Sequence, residues 1–179
     1  MKATGIVRRI DELGRIVIPK EIRRTQRIRR GDPLEIFTTA EGEVIFKKYS
    51  PMREIGGTAE QYAAVLARQT NLTAFVCDRE SIAAAAGPGK KELAELRVSR
   101  PLERMMEQRI IYTADRDDEP RLPCEGCSRP ILVVCPVITA GDVIGAVGLL
   151  AAETPAAPTD CQAAAAELCA ALLAKQMEE

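Results

Sequence analysis

Residues 1–30 carry ten Lys and Arg against three Asp and Glu, and eight of the ten are arginine. A guanidinium can make two parallel hydrogen bonds to a phosphate or to the edge of a guanine, so such a run is chemistry suited to a nucleic acid. If Lys20 to Arg30 form one helix, Arg23, Arg27 and Arg30 stand at i, i+4 and i+7 on one face, with Arg24 beside them. Ile22 and Ile28 then hold that helix down, while Arg8, Arg9 and Arg15 project from strand ends and a turn. The candidate DNA-contacting set is Arg8, Arg9, Arg15, Lys20, Arg23, Arg24 and Arg27. The competing reading is a solvated charged surface with no partner.

Other chemistry is thin. The chain has no histidine, which removes Ser-His-Asp triads, Cys-His nucleophile pairs and every His-containing zinc site. Cys124-Glu125-Gly126-Cys127 is a CxxC in a polar loop and the candidate for a thiol or metal site. It is half of a four-thiolate zinc or iron–sulfur site, or a redox pair, and an intersubunit site with two cysteines from each chain is one variant. Cys77 and Cys135 read as small buried hydrophobes, and Cys161 and Cys169 as helix-packing residues. Gly87-Pro88-Gly89-Lys90-Lys91 lacks the spacing of a phosphate loop. Asp115, Asp117, Asp118 and Glu119 read as a solvated acidic turn. No catalytic constellation is present, and no cofactor is implied.

The elements that must position the arginines are short. Thr4 to Ile10 and Arg15 to Ile18 read as strands around the turn Asp11-Glu12-Leu13-Gly14. Pro19 opens the helix, Gly31 closes it, and Leu34 to Thr38 with Val44 to Lys47 make a hairpin. A module of about fifty residues with a dozen or so Ile, Val, Leu and Phe gains only a few kcal/mol from its core. A homodimer that shares strands between two copies is therefore expected.

Charge separates this module from the rest. Residues 1–53 hold 13 basic against 7 acidic residues, a balance of +6, and residues 54–179 hold 12 against 19, a balance of −7. The expected domains are 1–52 for DNA binding and dimerisation, a linker at 53–57, and a second domain at 58–179. Thr58 and Gln61 read as a capping box for a helix through Tyr62, Val65, Leu66 and Gln69. Strands follow at Leu72 to Cys77 and Ser81 to Ala86, then helices at Lys90 to Leu96 and Leu102 to Arg109, interrupted at Pro101. After a loop from Asp115 to Arg129 come strands Ile131 to Thr139 and Val143 to Ala151, and a helix capped at Thr159. This order makes an α+β domain, an antiparallel sheet flanked by helices. Tyr62 with Val65 and Leu66, and the stripe Cys161, Ala165, Leu168 and Leu172, fit either an oligomer seam or packing within one chain. The longest apolar run, Val143 to Ala152, is short of the roughly 18 residues of a membrane span, and the start lacks a secretory signal. A cytoplasmic protein is expected.

The run from Met1 through Gly5-Ile6-Val7-Arg8-Arg9-Ile10-Asp11-Glu12-Leu13-Gly14-Arg15-Ile16-Val17-Ile18-Pro19-Lys20-Glu21-Ile22-Arg23 resembles the AbrB-type transition-state regulators. The continuation through Gly31-Asp32-Pro33-Leu34-Glu35-Ile36-Phe37 to Lys47-Lys48-Tyr49-Ser50-Pro51 resembles the sporulation branch of that family. Cys77-Asp78-Arg79, Met106-Glu107-Gln108-Arg109 and Gly141-Asp142-Val143-Ile144-Gly145-Ala146-Val147 extend the similarity, whereas the loop from Asp115 to Pro130 departs from it. The resemblance implies a mainly-β swapped-hairpin dimer binding double-stranded DNA, A·T-rich by preference, through Arg8, Arg15, Arg23 and Arg24. It also implies a GAF-like C-terminal domain, a homotetramer of paired dimers, nucleoid association and a role in sporulation. A small-molecule effector of the GAF-like domain is expected by analogy of fold. Two rivals remain open: an antitoxin-type DNA-binding protein, and a thiol or metal sensor using Cys124 and Cys127.

Overall fold

The computed structural model describes residues 4–93, apart from the side chain of Arg53, together with 96–115, 117–152 and 157–178. Met1 to Ala3, Ala94 and Glu95 of the expected elements, and Arg116 of the expected loop, lie outside the described residues. The chain divides into two compact units, Met1–Tyr49 and Ser50–Glu179.

In the first unit helix α1 (Lys20–Thr25) precedes an antiparallel hairpin of β1 (Leu34–Thr38) and β2 (Val44–Lys48). Thr4 to Ile10 and Arg15 to Ile18, expected as strands, join no ladder. A strand needs a neighbour to take its N–H and C=O groups, and one copy of the unit offers none. Helix α1 also stops five residues before Arg30. The Ile28 N–H reaches the Arg23 carbonyl (2.7 Å) and the Arg27 N–H the Arg24 carbonyl (3.3 Å), closing a Schellman motif with Arg27 at φ +53°. That left-handed position usually goes to glycine, so no residue type in the sequence marks it. Among the described residues of this unit Pro19 is the one that is buried.

The second unit begins with α2 (Pro51–Glu54) and α3 (Gly56–Thr70), then β3 (Thr73–Asp78) and β4 (Ile82–Ala86). A 3₁₀ turn at Lys90–Glu92 follows, then α4 (Arg100–Gln108), β5 (Tyr112–Thr113), β6 (Ile131–Thr139), β7 (Asp142–Leu150) and α5 (Asp160–Gln176). The strands form one antiparallel sheet in the order β4-β3-β7-β6-β5. Alternation along β3 sends Ala74 and Val76 to one face and Phe75 and Cys77 to the other. On the first face α3 contributes Ala59, Ala63 and Leu66, and α5 contributes Ala166, Ala170 and Leu173. On the second face α4 buries Leu102, Met105 and Met106 together with Leu93. Both faces are covered, so the central strands are apolar between their ends, where the buried polar residues Thr73 and Asp78 stand on β3.

Several local expectations are corrected. Residues 53–57 are no loose linker: they span the junction of α2 and α3, Met52 is fully buried beside them, and Ile55 packs on the core. Helix α3 begins at Gly56 with Ile55 as its N-cap, so Thr58 and Gln61 do not cap it; burying Ile55 extends the helix past the polar signal. Pro101 opens α4 rather than interrupting a helix, behind a Ser99 N-cap that accepts from the Leu102 N–H (3.2 Å). At Lys90 to Leu96 only one 3₁₀ turn forms among the described residues. The expected loop after Asp115 is tied down at its end, where Val98 bridges Cys124 and the Ser99 N–H donates to the Pro123 carbonyl (2.8 Å). Thr159 and Gln162 form the capping box of α5. No helix among the described residues is long and apolar enough to cross a membrane.

Gly145 and Gly148 on β7 let β3 come close. A Cβ at Gly145 would drive into the Cys77 carbonyl oxygen and stand 2.9 Å from the Met52 Cε. A backbone carbonyl in a paired strand cannot yield, so Gly145→Ala is expected to destabilise the second unit by roughly 1–3 kcal/mol. Urea denaturation of the full chain, followed by far-UV circular dichroism, measures this as a lower midpoint.

Candidate nucleic-acid interface

Arg8, Arg9, Arg15, Lys20, Arg23, Arg24 and Arg27 are all exposed in the first unit. They reach the surface from three local structures. Arg8 and Arg9 lie in the segment that enters the first turn, where the Arg8 Nη1 makes a long contact with the Val7 carbonyl (3.5 Å).

The turn itself is organised by Asp11. Its Oδ1 accepts the backbone N–H groups of Leu13 (3.0 Å) and Arg15 (2.8 Å), and its Oδ2 accepts the Arg15 Nε (2.8 Å). Two backbone bonds complete the loop, Gly14 N–H to the Asp11 carbonyl and Asp11 N–H to the Arg15 carbonyl, both 3.0 Å. Gly14 sits at φ +76°, a conformation that suits glycine in a tight turn. The Arg15 backbone N–H, and then its guanidinium, hold the Asp11 carboxyl below the usual carboxylate range. A depressed value means the contact contributes at neutral pH and is lost as pH falls through it.

Lys20, Arg23 and Arg24 share α1, with both arginines in its last turn, where the carbonyl end of the helix favours positive charge. Arg27 leaves the helix in the left-handed conformation, and its carbonyl accepts the Lys48 Nζ (2.6 Å). The expected single helical face of Arg23, Arg27 and Arg30 is therefore overturned: α1 ends before two of the three. The structure groups Lys20, Arg23 and Arg24 on the helix and attaches Arg15 to its turn. Asp11, by its sign, and Lys48, by lying outside residues 1–30, are the neighbours that a search of that basic run passes over. The i, i+4 spacing of Asp11 and Arg15 around Gly14 is the signal that was available for the first.

The second unit carries the other candidates. Cys124 and Cys127 are both buried, at 1% and 4% exposure, in the core under α4. Burial first, then the neighbouring Cys127, pushes the Cys124 thiol up to about 11. The Cys127 Sγ contacts the Arg129 carbonyl (3.4 Å). Among the described residues no group of three or more His, Cys, Asp or Glu is placed to hold a metal ion. Cys135, pushed up to about 12, and Cys169, to about 11, are likewise raised mainly by burial, and Cys161 alone is exposed. An open groove of about 360 Å³ lies between the end of α3 and β4, lined by Ala67, Arg68, Asn71, Ala86, Gly87 and Pro88.

The family model described as stage V sporulation protein T C-terminal, transcription factor, matches residues 54–178. A second, described as antidote-toxin recognition MazE, bacterial antitoxin, matches residues 7–54. Stage V sporulation protein T of Bacillus subtilis (strain 168) is 44% identical over 181 residues, covering all of both chains. The transition state regulatory protein AbrB of the same organism is 59% identical over 51 residues, 28% of this chain and 52% of its own length. A solved structure of a methyl-accepting chemotaxis protein, residues 122 to 287, matches with a TM-score of 0.55 and 14% identity over 69% of this chain and 88% of its own, a likeness of fold. The chain thus has an AbrB-like N-terminal domain followed by a mixed α/β domain with helices on both faces of one sheet. It belongs to the stage V sporulation protein T family of transcription factors, DNA-binding regulators whose C-terminal family model covers residues 54–178 here.

Proposed function

We propose that residues 1–52 of two copies form one DNA-binding dimer that contacts duplex phosphates through Arg8, Arg9, Arg15, Lys20, Arg23, Arg24 and Arg27. The observation that carries this reading is the first unit's lack of an interior: Val7, Leu13 and Val17 are 85%, 74% and 72% exposed while its basic side chains are also at the surface. Apolar residues left open in a strand-poor unit call for a second copy, and the copy doubles the positive charge offered to DNA. Residues 58–179 form the sensor, binding a small effector and pairing dimers into a homotetramer. Val65 on α3 and Leu168 and Leu172 on α5, all about half exposed, supply the apolar surface for that pairing. The protein acts in the cytoplasm on the nucleoid, in the control of sporulation genes.

The antitoxin reading draws support from the model over residues 7–54. Against it stands the second unit, whose sheet carries a core on both faces instead of an arm that folds only on a toxin. A thiol or metal sensor at Cys124 and Cys127 is disfavoured by their burial, which withholds both sulfurs from a partner chain.

In duplex binding across a salt series, log K is expected to fall steeply with log salt for the wild type. Arg23→Ala/Arg24→Ala weakens binding, with a slope shallower by roughly 0.9 for each phosphate that is no longer neutralised. Equal binding by the double variant would move the interface elsewhere. The isolated 1–52 fragment is expected to sediment as a dimer and to melt at a temperature that rises with its concentration; a monomer with a cooperative melt contradicts the shared fold. With a chromogenic disulfide reagent at neutral pH, Cys161 is expected to react rapidly and the other five thiols only on unfolding. Rapid reaction of Cys124 or Cys127 would restore the sensor reading.

A further inference from the structure

We propose that Asp11 is a positioning residue for DNA recognition: its carboxylate holds Arg15 by Nε and leaves the two terminal nitrogens of the guanidinium to the nucleic acid. The inference rests on the reading of Arg15 as a DNA contact and assigns a role to an acidic residue inside a basic surface. Three features of the turn carry it. The Asp11 Oδ2 takes the Arg15 Nε at 2.8 Å, and Oδ1 is already fixed by the Leu13 and Arg15 backbone N–H groups, so the carboxylate has one orientation. The Arg15 side chain remains 70% exposed while that of Asp11 is 43% exposed, so the pair is open on the arginine's side. The Gly14 and Asp11 backbone bonds close the loop beneath them, which gives the carboxylate a rigid base.

A long arginine free in solvent must be immobilised on binding, and a side chain already held by Nε loses less freedom when its fork meets a phosphate or a guanine edge. Nε is the donor that a bidentate end-on contact does not need. A carboxylate near a polyanion is otherwise unfavourable, so simple charge counting and positioning predict opposite effects for its neutralisation. Counting says that Asp11→Asn, which adds one positive charge to each protomer, tightens DNA binding. Positioning says that it weakens it. The Asn side chain can still accept from the two backbone N–H groups, so the turn is kept and only the ion pair is removed.

The test is fluorescence anisotropy of the full chain with a labelled A·T-rich duplex of about three helical turns, for wild type, Asp11→Asn, Arg15→Ala and the double variant. Asp11→Asn is expected to bind about three- to fivefold more weakly per protomer, with an unchanged circular dichroism spectrum. On the Arg15→Ala background the same substitution is expected to have no further weakening effect, because the group it positions is gone. Arg15→Lys, which keeps the charge but has no Nε, is expected to be as weak as Asp11→Asn or weaker. Tighter or equal binding by Asp11→Asn in the wild-type background overturns the inference, as does full additivity in the double variant. If Arg15→Ala itself binds as the wild type does, the DNA contact at Arg15 fails and the positioning role fails with it. If that contact stands while Asp11→Asn is silent, only the positioning role fails.

Discussion

A polypeptide segment that exposes Val7, Leu13, Val17 and Ile36 to water, and among its described residues buries only Pro19, has not finished folding by the ordinary measure of apolar burial. The rest of the functional argument depends on that incompleteness. The segments around the first turn have strand-like composition but no ladder, and the hairpin β1–β2 is a two-stranded sheet, an arrangement that is marginal alone. The proposed second copy supplies both missing things at once, strand partners and an apolar interior. On that proposal dimerisation and DNA binding are one structural event, because the strand-like segments that need pairing carry Arg8, Arg9 and Arg15 at their ends.

Within that frame the local details have consistent reasons. The turn at Asp11 is rigid in the single chain, held by its own carboxylate and by Gly14, so it arrives at an interface already shaped. Helix α1 is short because its end is closed by a Schellman motif at Arg27 and because Lys48 reaches back to the Arg27 carbonyl. This concentrates Lys20, Arg23 and Arg24 on about a turn and a half of helix, the two arginines at the end where the helix favours cations. Six residues of helix suffice to display these three positive charges.

The second unit obeys a different economy. Its sheet is covered on both faces, and the close approach of α3 and α5 to one face relies on Ala59, Ala63, Ala166 and Ala170. Cys77, Cys135 and Cys169 serve the same end as those alanines, filling small spaces at the sheet or the helices, while Cys124 and Cys127 fill the core under α4. Buried thiols are compatible with packing and poorly suited to ligation or exchange. Arg129 fastens the end of the long loop to the β4 side of the sheet through the Thr73 hydroxyl (2.8 Å) and the Pro88 carbonyl (2.5 Å).

The one-dimensional pattern by itself determined the division into a basic and an acidic module, the run of arginine, the hairpin, the two long strands β6 and β7, and the capping box of α5. Those features are set by residue type and near-neighbour spacing, which a chain carries with it wherever it folds. Tertiary structure decided what depends on distant or missing partners. It ended α1 at Thr25 through carbonyl geometry that no glycine announces, and made a helical junction of residues 53–57 because Met52 and Ile55 find a sheet to cover. It added β5, two residues that become a strand only beside β6, and turned Cys124 and Cys127 inward. Alternation and charge are local quantities, whereas burial and strand pairing are properties of what lies across the fold, and among the described residues the segments before α1 meet no partner strand.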